Sequence, residues 1–200
     1  MPTMIAPGFE KRLRALSPRQ ALAFMASLSE RLMPNYRLYA EIGATGDAHG
    51  VTSILALVWE SLGVRDAKIN FERQAEKLAA CEPPEDDDSF GARIARDLTL
   101  ALSACMDVLS GPAGEAPVDV SRLSIGGIER FIEMSAGEAI NDDVERETLI
   151  DDHALMSDER AFQLAVLERV ETQTLDRAGL RELRELGKNE GVSNLGLTAE

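Results

Sequence analysis

Apolar residues recur at helical spacing along most of this chain, and the clearest case lies near its start. Four apolar residues three or four positions apart share one helix face: Leu22, Met25, Leu28 and Leu32. Ser17 and Pro18 suit the first positions of this helix, since serine caps it and proline needs no backbone N–H there. We expect the helix to end at Met33, because the residue before Pro34 avoids helical dihedral angles.

Further helices are recognised from their apolar stripes and terminal residues. We expect them over about 47–62 with Asp47 as cap, about 66–81, about 90–110 with Ser89 as cap, from Asp119 onward, and from Ser157 to Gly187 or Gly191. The segment 37–43 is predicted to be a separate short element. Gly126 and Gly127 inside a helix each cost roughly 1 kcal/mol, which the close approach of a neighbouring helix would justify.

The pattern contains neither long alternating strands nor a repeat at a solenoid period. The sequence therefore predicts an all-α fold, an up-and-down helical bundle of about six to eight helices. We expect a single helical domain over 1–200, with the core bundle in 9–190 and a C-terminal tail in 191–200.

The net charge of the chain is −14, and it is distributed unevenly. Residues 1–40 hold six bases and two acids, so the other 160 residues carry −18. Nucleic-acid binding needs positive charge that displaces phosphate counterions. The charge balance therefore argues against nucleic acid and anionic lipid as partners, and it favours solubility.

The two cysteines, Cys81 and Cys105, lack the CxxC spacing of a zinc site. We expect two buried thiols in a reducing compartment rather than a disulfide. The sequence does not open with a secretory signal pattern, and no apolar run approaches the roughly 18 residues of a membrane span. These features predict a cytoplasmic protein.

Four sequence blocks carry a family resemblance. They are FMASLSER followed by MPNY, then VWESLGVRDAKINFERQAEKL, VDVSRLSI and SNLGL. In this order they resemble the YjaG-like bacterial family of unknown function over residues 20–197, although 141–157 is more acidic than that family's pattern. The resemblance implies a cytoplasmic helical bundle that self-associates, and it supplies no activity and no catalytic residue.

Two acidic segments raise the question of a cation site. The block 85–88 is contiguous, whereas calcium ligands usually alternate around a glycine turn. We expect a solvated loop before the Ser89 cap, with a cation site or a docking patch for a basic partner as alternatives. In 142–152 a helix would stack three acids on one face: Asp143, Glu147 and Asp151. The Glu-x-x-His pairs of di-iron bundles are missing, which favours a solvated acidic segment there too.

Five residues are the first candidates for a polar pocket: Asn35, Tyr36, Trp59, Glu60 and Asn70. Each also has a structural interpretation. Asn35 and Asn70 can cap helices, Trp59 can belong to the core with its indole N–H bonded, and Glu60 can lie on the surface or pair with a base such as Lys68 or Arg31. A second grouping combines His49, Ser53 and Glu60 on one helix, but a serine in mid-helix lacks the oxyanion hole that a hydrolase needs.

No nucleotide-binding, zinc-protease or nucleophile-elbow motif occurs, and we assign no catalytic, cofactor or metal residue. The first functional hypothesis is a non-enzymatic protein that self-associates, as a homodimer, or docks a partner protein through an apolar helix face. The alternative is a bundle that binds a small molecule or metal in a polar pocket near Tyr36, Trp59 and Glu60. A weaker third idea is an acidic decoy for a nucleic-acid-binding protein.

Overall fold

Nine α-helices make up the fold in the residues that the computed structural model describes, 5–43, 45–64, 67–137 and 142–199. They are α1 Phe9–Arg14, α2 Pro18–Gly43, α3 Ala48–Gly63, α4 Phe71–Ala79, α5 Phe90–Ser110, α6 Ala116–Ala136, α7 Asp143–Asp151, α8 Ala154–Thr172 and α9 Arg177–Lys188. A short 3-10 helix, Asn189–Gly191, and an isolated antiparallel bridge between Val192 and Thr198 follow. The all-α prediction is confirmed, with one helix more than the expected maximum.

Helix α2 lies at the centre of the molecule. Every residue in 21–36 is buried, including the polar side chains of Ser27, Glu30, Arg31 and Asn35. Helices α3, α5, α6, α8 and α9 all pack against it. The apolar stripe identified in the sequence covers only part of this contact, because a helix enclosed on all sides has no solvent face.

The predicted end of α2 at Met33 is wrong. Pro34 is buried within the helix, and 37–43 continues it instead of forming a separate element. An interior proline removes one helical hydrogen bond and costs about 3 kcal/mol or more. Packing beyond the proline offsets this cost, since Tyr36 is fully buried and its hydroxyl donates to the Cys81 carbonyl oxygen at 2.6 Å and accepts from the Asp47 N–H at 3.1 Å.

Local capping signals identified several helix starts correctly. The side chains of Ser17, Asp47 and Ser89 accept hydrogen bonds from backbone N–H groups three residues further on, at 3.4, 2.8 and 3.1 Å. The helix predicted over about 66–81 is shorter and begins at Phe71. Asn70 caps it by accepting from the Arg73 N–H at 2.9 Å, so the capping interpretation of Asn70 is confirmed.

The starts predicted at Asp119 and Ser157 are wrong. Helix α6 begins earlier, at Ala116, because Pro117 fits the first turn of a helix. Helix α8 begins at Ala154, where His153 Nδ1 accepts from the Leu155 N–H at 3.2 Å.

The long helix expected from Ser157 onward is in fact two helices, α8 and α9, separated at 173–176. Asp176 caps α9 by accepting from the N–H groups of Ala178 and Gly179, at 3.0 and 2.9 Å. The chain can therefore turn before α9 packs against α2.

Two arginines of the basic N-terminal segment pair with acids from distant parts of the chain. Arg12 pairs with Glu171 of α8 at 2.6 Å, and Arg14 pairs with Glu115 before α6 at 2.7 Å. Both pairs are partly exposed, so each contributes at most about 1 kcal/mol. The uneven charge in the sequence thus becomes a set of contacts between α1 and distant segments.

Two glycines allow neighbouring helices to approach closely. A Cβ atom at Gly127 of α6 would lie 3.2 Å from Asp97 Oδ2 of α5, which confirms the predicted close approach for Gly127; a Cβ atom at Gly126 would meet only Arg130 of its own helix, at 3.3 Å. Gly187, expected to close the last helix, lies inside α9 instead. A Cβ atom there would lie 2.5 Å from the Ser27 carbonyl oxygen of α2.

We expect Gly187→Ala to lower the free energy of unfolding by about 1–3 kcal/mol, because the added methyl group meets the backbone of α2 and forces the two helices apart. Urea denaturation measures the change. Gly63→Ala is the matched control, since no heavy atom would lie within 4 Å of its Cβ. Equal stability of the Gly187→Ala protein and the wild type would contradict the close contact.

Candidate functional site

A buried ion pair joins α2 to α8. Arg31 Nε donates to Glu159 Oε2 at 2.8 Å, and the two side chains are 8% and 0% exposed. The other carboxylate oxygen, Glu159 Oε1, accepts from Ser124 Oγ at 2.6 Å and from Gln163 Nε2 at 2.8 Å. The Arg31 guanidinium lies over the Phe162 ring, 4.4 Å from its centroid. The carboxylate is thus held by α2, α6 and α8 together.

The C-terminal turn, residues 193–197, extends this network. Asn194 is 1% exposed, and its Nδ2 donates to both the carbonyl oxygen and the Oγ of Ser124, each at 3.1 Å. Its Oδ1 accepts from Asn35 Nδ2 at 2.9 Å. Residues 191–200 are predicted to be a C-terminal tail, and the structure places 193–195 of this segment in the buried interior.

The turn is rigid because Ser193 closes it from inside. The Ser193 N–H donates to the Leu197 carbonyl oxygen at 2.8 Å, and its Oγ accepts from the N–H groups of Leu195 and Leu197. Gly196 has φ +72°, a left-handed conformation that suits glycine. Leu195 packs into a second apolar cluster with Ile128 and Met156, so the turn fixes α6 and α8 as well as Asn194.

A groove opens beside the end of this network, between the second half of α2 and the start of α5. We call it the α2–α5 groove; its volume is about 510 Å³. It is lined by Asn35, Leu38, Tyr39, Ile42, Gly43, Thr45, Asp87, Ser89, Phe90, Gly91, Ile94, Phe131, Met134 and Leu197. Ile42 and Met134 are 77% and 54% exposed, which is unusual for large apolar side chains.

Asn35 is the buried polar side chain of this groove. It is 1% exposed, and its Nδ2 is engaged by Asn194. Its Oδ1 accepts no hydrogen bond from any described residue. Because the amide is held by Asn194, this acceptor has a fixed position in a mostly apolar surrounding.

A second cavity, which we call the α3–α9 cleft, has the opposite character. Its volume is about 640 Å³, and its lining is Trp59, Gly63, Arg177, Ala178, Leu180, Arg181, Arg184, Glu185 and Lys188. Trp59 is in the core at 6% exposure, as predicted, but its indole N–H has no acceptor among the described residues. The hydrogen bond expected for that N–H is therefore not formed with any described residue.

The five predicted pocket residues fall in different places. Asn35 lines the α2–α5 groove, and Trp59 lines the α3–α9 cleft. Tyr36 is buried between Cys81 and Asp47, and burial raises the pKa of its phenol. Glu60 is exposed on α3, and Asn70 is an exposed helix cap. No single cavity brings all five together.

Two structural interpretations of these residues are corrected by the network. Asn35 does not cap a helix, because it lies in the middle of α2 with its side chain on Asn194. Arg31 does not pair with Glu60; its partner is Glu159. No residue near Asn35 or Arg31 in the sequence indicates either contact. The SNLGL block, which contains Asn194, was recognised only as part of the family resemblance.

The acidic block 85–88 forms the loop expected before α5. Asp87 Oδ1 accepts from the Ser89 N–H at 3.0 Å, and its Oδ2 accepts from the Tyr39 hydroxyl at 3.3 Å. The hydrogen bonds from Ser89 lower the pKa of Asp87. Glu85, Asp86 and Asp88 are exposed.

The acidic segment after α6 is an exposed helix, α7, over most of its described length. Its Asp151 carboxylate accepts from Arg160, and Arg146 pairs with Glu133 of α6. Across the described ranges, no group of three or more His, Cys, Asp or Glu side chains is placed to hold a metal ion.

The two cysteines are unpaired and buried, as predicted. Burial raises the pKa of the Cys105 thiol to about 12, so this sulfur stays protonated at neutral pH. Burial also raises the pKa of Cys81. Neither thiol has the lowered pKa that marks a reactive cysteine.

Comparison with known proteins places the chain in a family. A family model described as "Protein of unknown function (DUF416)" matches residues 8–198. This chain belongs to the DUF416 family. A DUF416 family protein from Shewanella baltica OS155 has a crystal structure that superposes with a TM-score of 0.87 at 29% identity, covering 96% of this chain and 99% of that one.

Two relatives of this DUF416 member carry names that describe them as uncharacterised. A Haemophilus influenzae protein is 33% identical over 190 residues, which span 94% of this chain and 95% of the relative. A protein named YjaG from Escherichia coli K12 is 37% identical over 142 residues, 70% of this chain and 72% of the relative. The YjaG-like resemblance is therefore confirmed. None of the helices in the described ranges is long and apolar enough to cross a bilayer.

We expect Glu159→Ala to lower the free energy of unfolding by about 3–5 kcal/mol, since it leaves Arg31 buried without a counter-charge. Urea denaturation provides the measurement. Glu171→Ala is the control, because it breaks the exposed pair with Arg12 and costs no more than about 1 kcal/mol. Glu159→Gln, which retains the shape, keeps the test usable if the alanine variant does not fold. Equal losses in Glu159→Ala and the control would refute the claim.

Asp97 supports a prediction about pH. It is buried on α5 and pairs with Arg130 of α6, yet burial outweighs this pairing and raises the pKa of Asp97 from 3.8 to about 6. The folded protein therefore holds this proton more tightly than the unfolded chain. The resulting stabilisation is complete below about pH 4 and is lost as the pH rises through about 6.

We expect the stability of the wild type relative to Asp97→Asn to fall by up to about 3 kcal/mol between about pH 4 and pH 7. Urea denaturation of both proteins across this range measures the difference, and groups common to both cancel. A difference that grows with rising pH would mean that the pairing with Arg130 dominates over burial.

Proposed function

We propose that this DUF416 protein acts by binding, and that the α2–α5 groove takes the apolar body of a small molecule that carries one hydrogen-bond donor. The observation that carries the proposal is the orphan acceptor: Asn35 Oδ1 is buried, unbonded to any described residue, and belongs to a side chain that lines the groove. A donor on the ligand would satisfy it.

The size and chemistry of the groove support a small-molecule ligand. Ligand pockets typically enclose about 300–1,000 Å³ and are mostly apolar, with a few fixed polar groups. The groove holds about 510 Å³, and aromatic rings from two helices, Phe90 and Phe131, lie in its wall with centroids 6.0 Å apart. Its lining also includes the polar residues Thr45, Asp87 and Ser89.

The energetics favour a ligand that donates to Asn35. An unpaired buried acceptor costs about 1–3 kcal/mol, and a ligand donor recovers part of that cost on binding. Asn194 already holds the Asn35 amide, so little side-chain freedom is lost when the bond forms. The groove therefore discriminates between an apolar molecule with an N–H or O–H group and one without.

Self-association is the second candidate, and the exposed mouth of the groove favours it. Ile42 of α2 and Met134 of α6 both line the groove and are more than half exposed. Large exposed apolar side chains beside a hollow are typical of interaction surfaces. In this second candidate function, a second copy of the protein covers the groove in a homodimer.

We further propose that the protein is non-enzymatic and cytoplasmic, and two sets of side chains support this. At the groove, Asp87 is engaged by Ser89 and Tyr39 and stays ionised because its pKa is lowered, so it is a poor proton donor. The two unpaired buried thiols fit a reducing compartment.

The uncharged fluorophore N-phenyl-1-naphthylamine, which is apolar and has one N–H, tests the groove. We expect saturable one-to-one binding to the wild type. Met134→Glu and Ile42→Glu should weaken binding by at least about tenfold, because each brings a charge to an apolar site. Val64→Glu adds the same charge to a residue that is 52% exposed and outside the groove, and should leave binding unchanged.

The hydrogen bond has its own control. N-methylation of the fluorophore removes the donor, and we expect a loss of about fivefold in affinity, equivalent to roughly 1 kcal/mol. The small-molecule proposal would be overturned if the two glutamate variants bound the fluorophore with wild-type affinity. It would also be overturned if the N-methylated fluorophore bound the wild type as tightly as the parent compound. A wild-type dimer in sedimentation velocity that Ile42→Glu dissociates would favour the second copy as occupant.

A further inference from the structure

The α3–α9 cleft concentrates positive charge in an acidic protein. Four of its lining residues are bases, all from α9, and one is an acid: Arg177, Arg181, Arg184 and Lys188, against Glu185. The chain as a whole carries −14. The cleft is thus a local cationic site, and it shares no lining residue with the α2–α5 groove.

Two of the four bases already have an ion-pair partner within the protein, and two have none among the described residues. Arg184 Nε donates to Glu30 Oε1 at 2.7 Å, and Lys188 Nζ donates to Glu185 Oε1 at 2.7 Å. Arg177 and Arg181 form no ion pair with any residue in the described ranges, and both are exposed. Two guanidinium groups one helical turn apart therefore remain available to an external anion.

Trp59 adds an independent observation. It is 94% buried, being 6% exposed, and it lines the cleft from α3 with an indole N–H that no described residue accepts. An indole N–H is only a donor, so its partner must supply an acceptor oxygen or nitrogen. The cationic side chains and this unsatisfied donor would both be satisfied by an anionic ligand with acceptor oxygens.

We propose that the α3–α9 cleft binds a small polyanion, a phosphate ester or a polycarboxylate, through Arg177, Arg181 and the Trp59 N–H. Guanidinium groups bind the oxygens of both anion types in pairs, which gives charge-assisted hydrogen bonds. The cleft volume of about 640 Å³ suits a molecule of metabolite size.

The charge distribution excludes a larger polyanion from this cleft. The lining residues sum to +3, so the rest of the chain carries −17. A nucleic acid reaching beyond the cleft would lie against this negative remainder and be repelled. The helix end is also not the binding element, because Asp176 already accepts from the N–H groups of Ala178 and Gly179.

The single tryptophan of the chain makes the site directly observable. Trp59 is that residue, so intrinsic tryptophan fluorescence reports on the cleft alone. Pyrophosphate and citrate are titrated at fixed ionic strength, with calorimetry in parallel, and the stronger of the two identifies the anion class. We expect saturable binding of at least one of them with a change in Trp59 emission.

Paired variants separate specific binding from general charge. Arg177→Ala with Arg181→Ala should weaken the anion by at least about tenfold, since charge-assisted hydrogen bonds are lost. Arg73→Ala with Arg93→Ala removes the same charge from exposed positions outside the cleft and should change affinity by less than about twofold. Equal losses in the two double variants, or no saturable response to either anion, would overturn the proposal.

Discussion

The fold depends on how the buried carboxylate of Glu159 is compensated. Removing a carboxylate and a guanidinium from water costs several kcal/mol per ion, which their attraction repays only when further hydrogen bonds complete the site. Here Ser124 and Gln163 donate to the same carboxylate, and Phe162 lies under the Arg31 guanidinium. This arrangement fixes the rotation of α2, because only one of its faces brings Arg31 to α8. A core of apolar side chains alone would leave that rotation less strictly defined.

The same network connects the structural core to the proposed binding groove. Asn194 of the C-terminal turn bonds to Ser124 on one side and to Asn35 on the other. Asn194 accepts from the amide nitrogen of Asn35, and no described residue donates to the amide oxygen. Closing the turn with Ser193 therefore has a consequence beyond stability, since it holds Asn194 against Asn35, a residue that lines the groove.

Short-range patterns such as capping residues predicted local structure, but they did not predict contacts between residues that are distant in the sequence. Asp47 and Ser89 were recognised as caps because a cap acts on N–H groups three residues away. The helix end predicted at Met33 was wrong for the complementary reason. The tendency of Pro34 to end a helix is local, and it was outweighed by the burial of Tyr36 in the tertiary structure. The ion pair of Arg31 and Glu159 spans 128 positions, and nothing near either residue in the sequence identifies its partner. Of the candidate sites, single lining residues were predicted, whereas the cavities themselves depend on tertiary packing.

The unsatisfied polar atoms of Asn35 and Trp59 differ in what they imply. Asn35 has a structural partner in Asn194, so its presence is partly explained by the network even though its oxygen is unbonded. The Trp59 N–H has no such partner among the described residues, and a phenylalanine would fill much of the same apolar space without the cost of an unpaired N–H. Arg184 lies 6.0 Å from the Trp59 ring, but it is already paired with Glu30, so the cation does not account for the indole N–H. Physical economy therefore points more strongly to a ligand at the α3–α9 cleft than the apolar groove alone does.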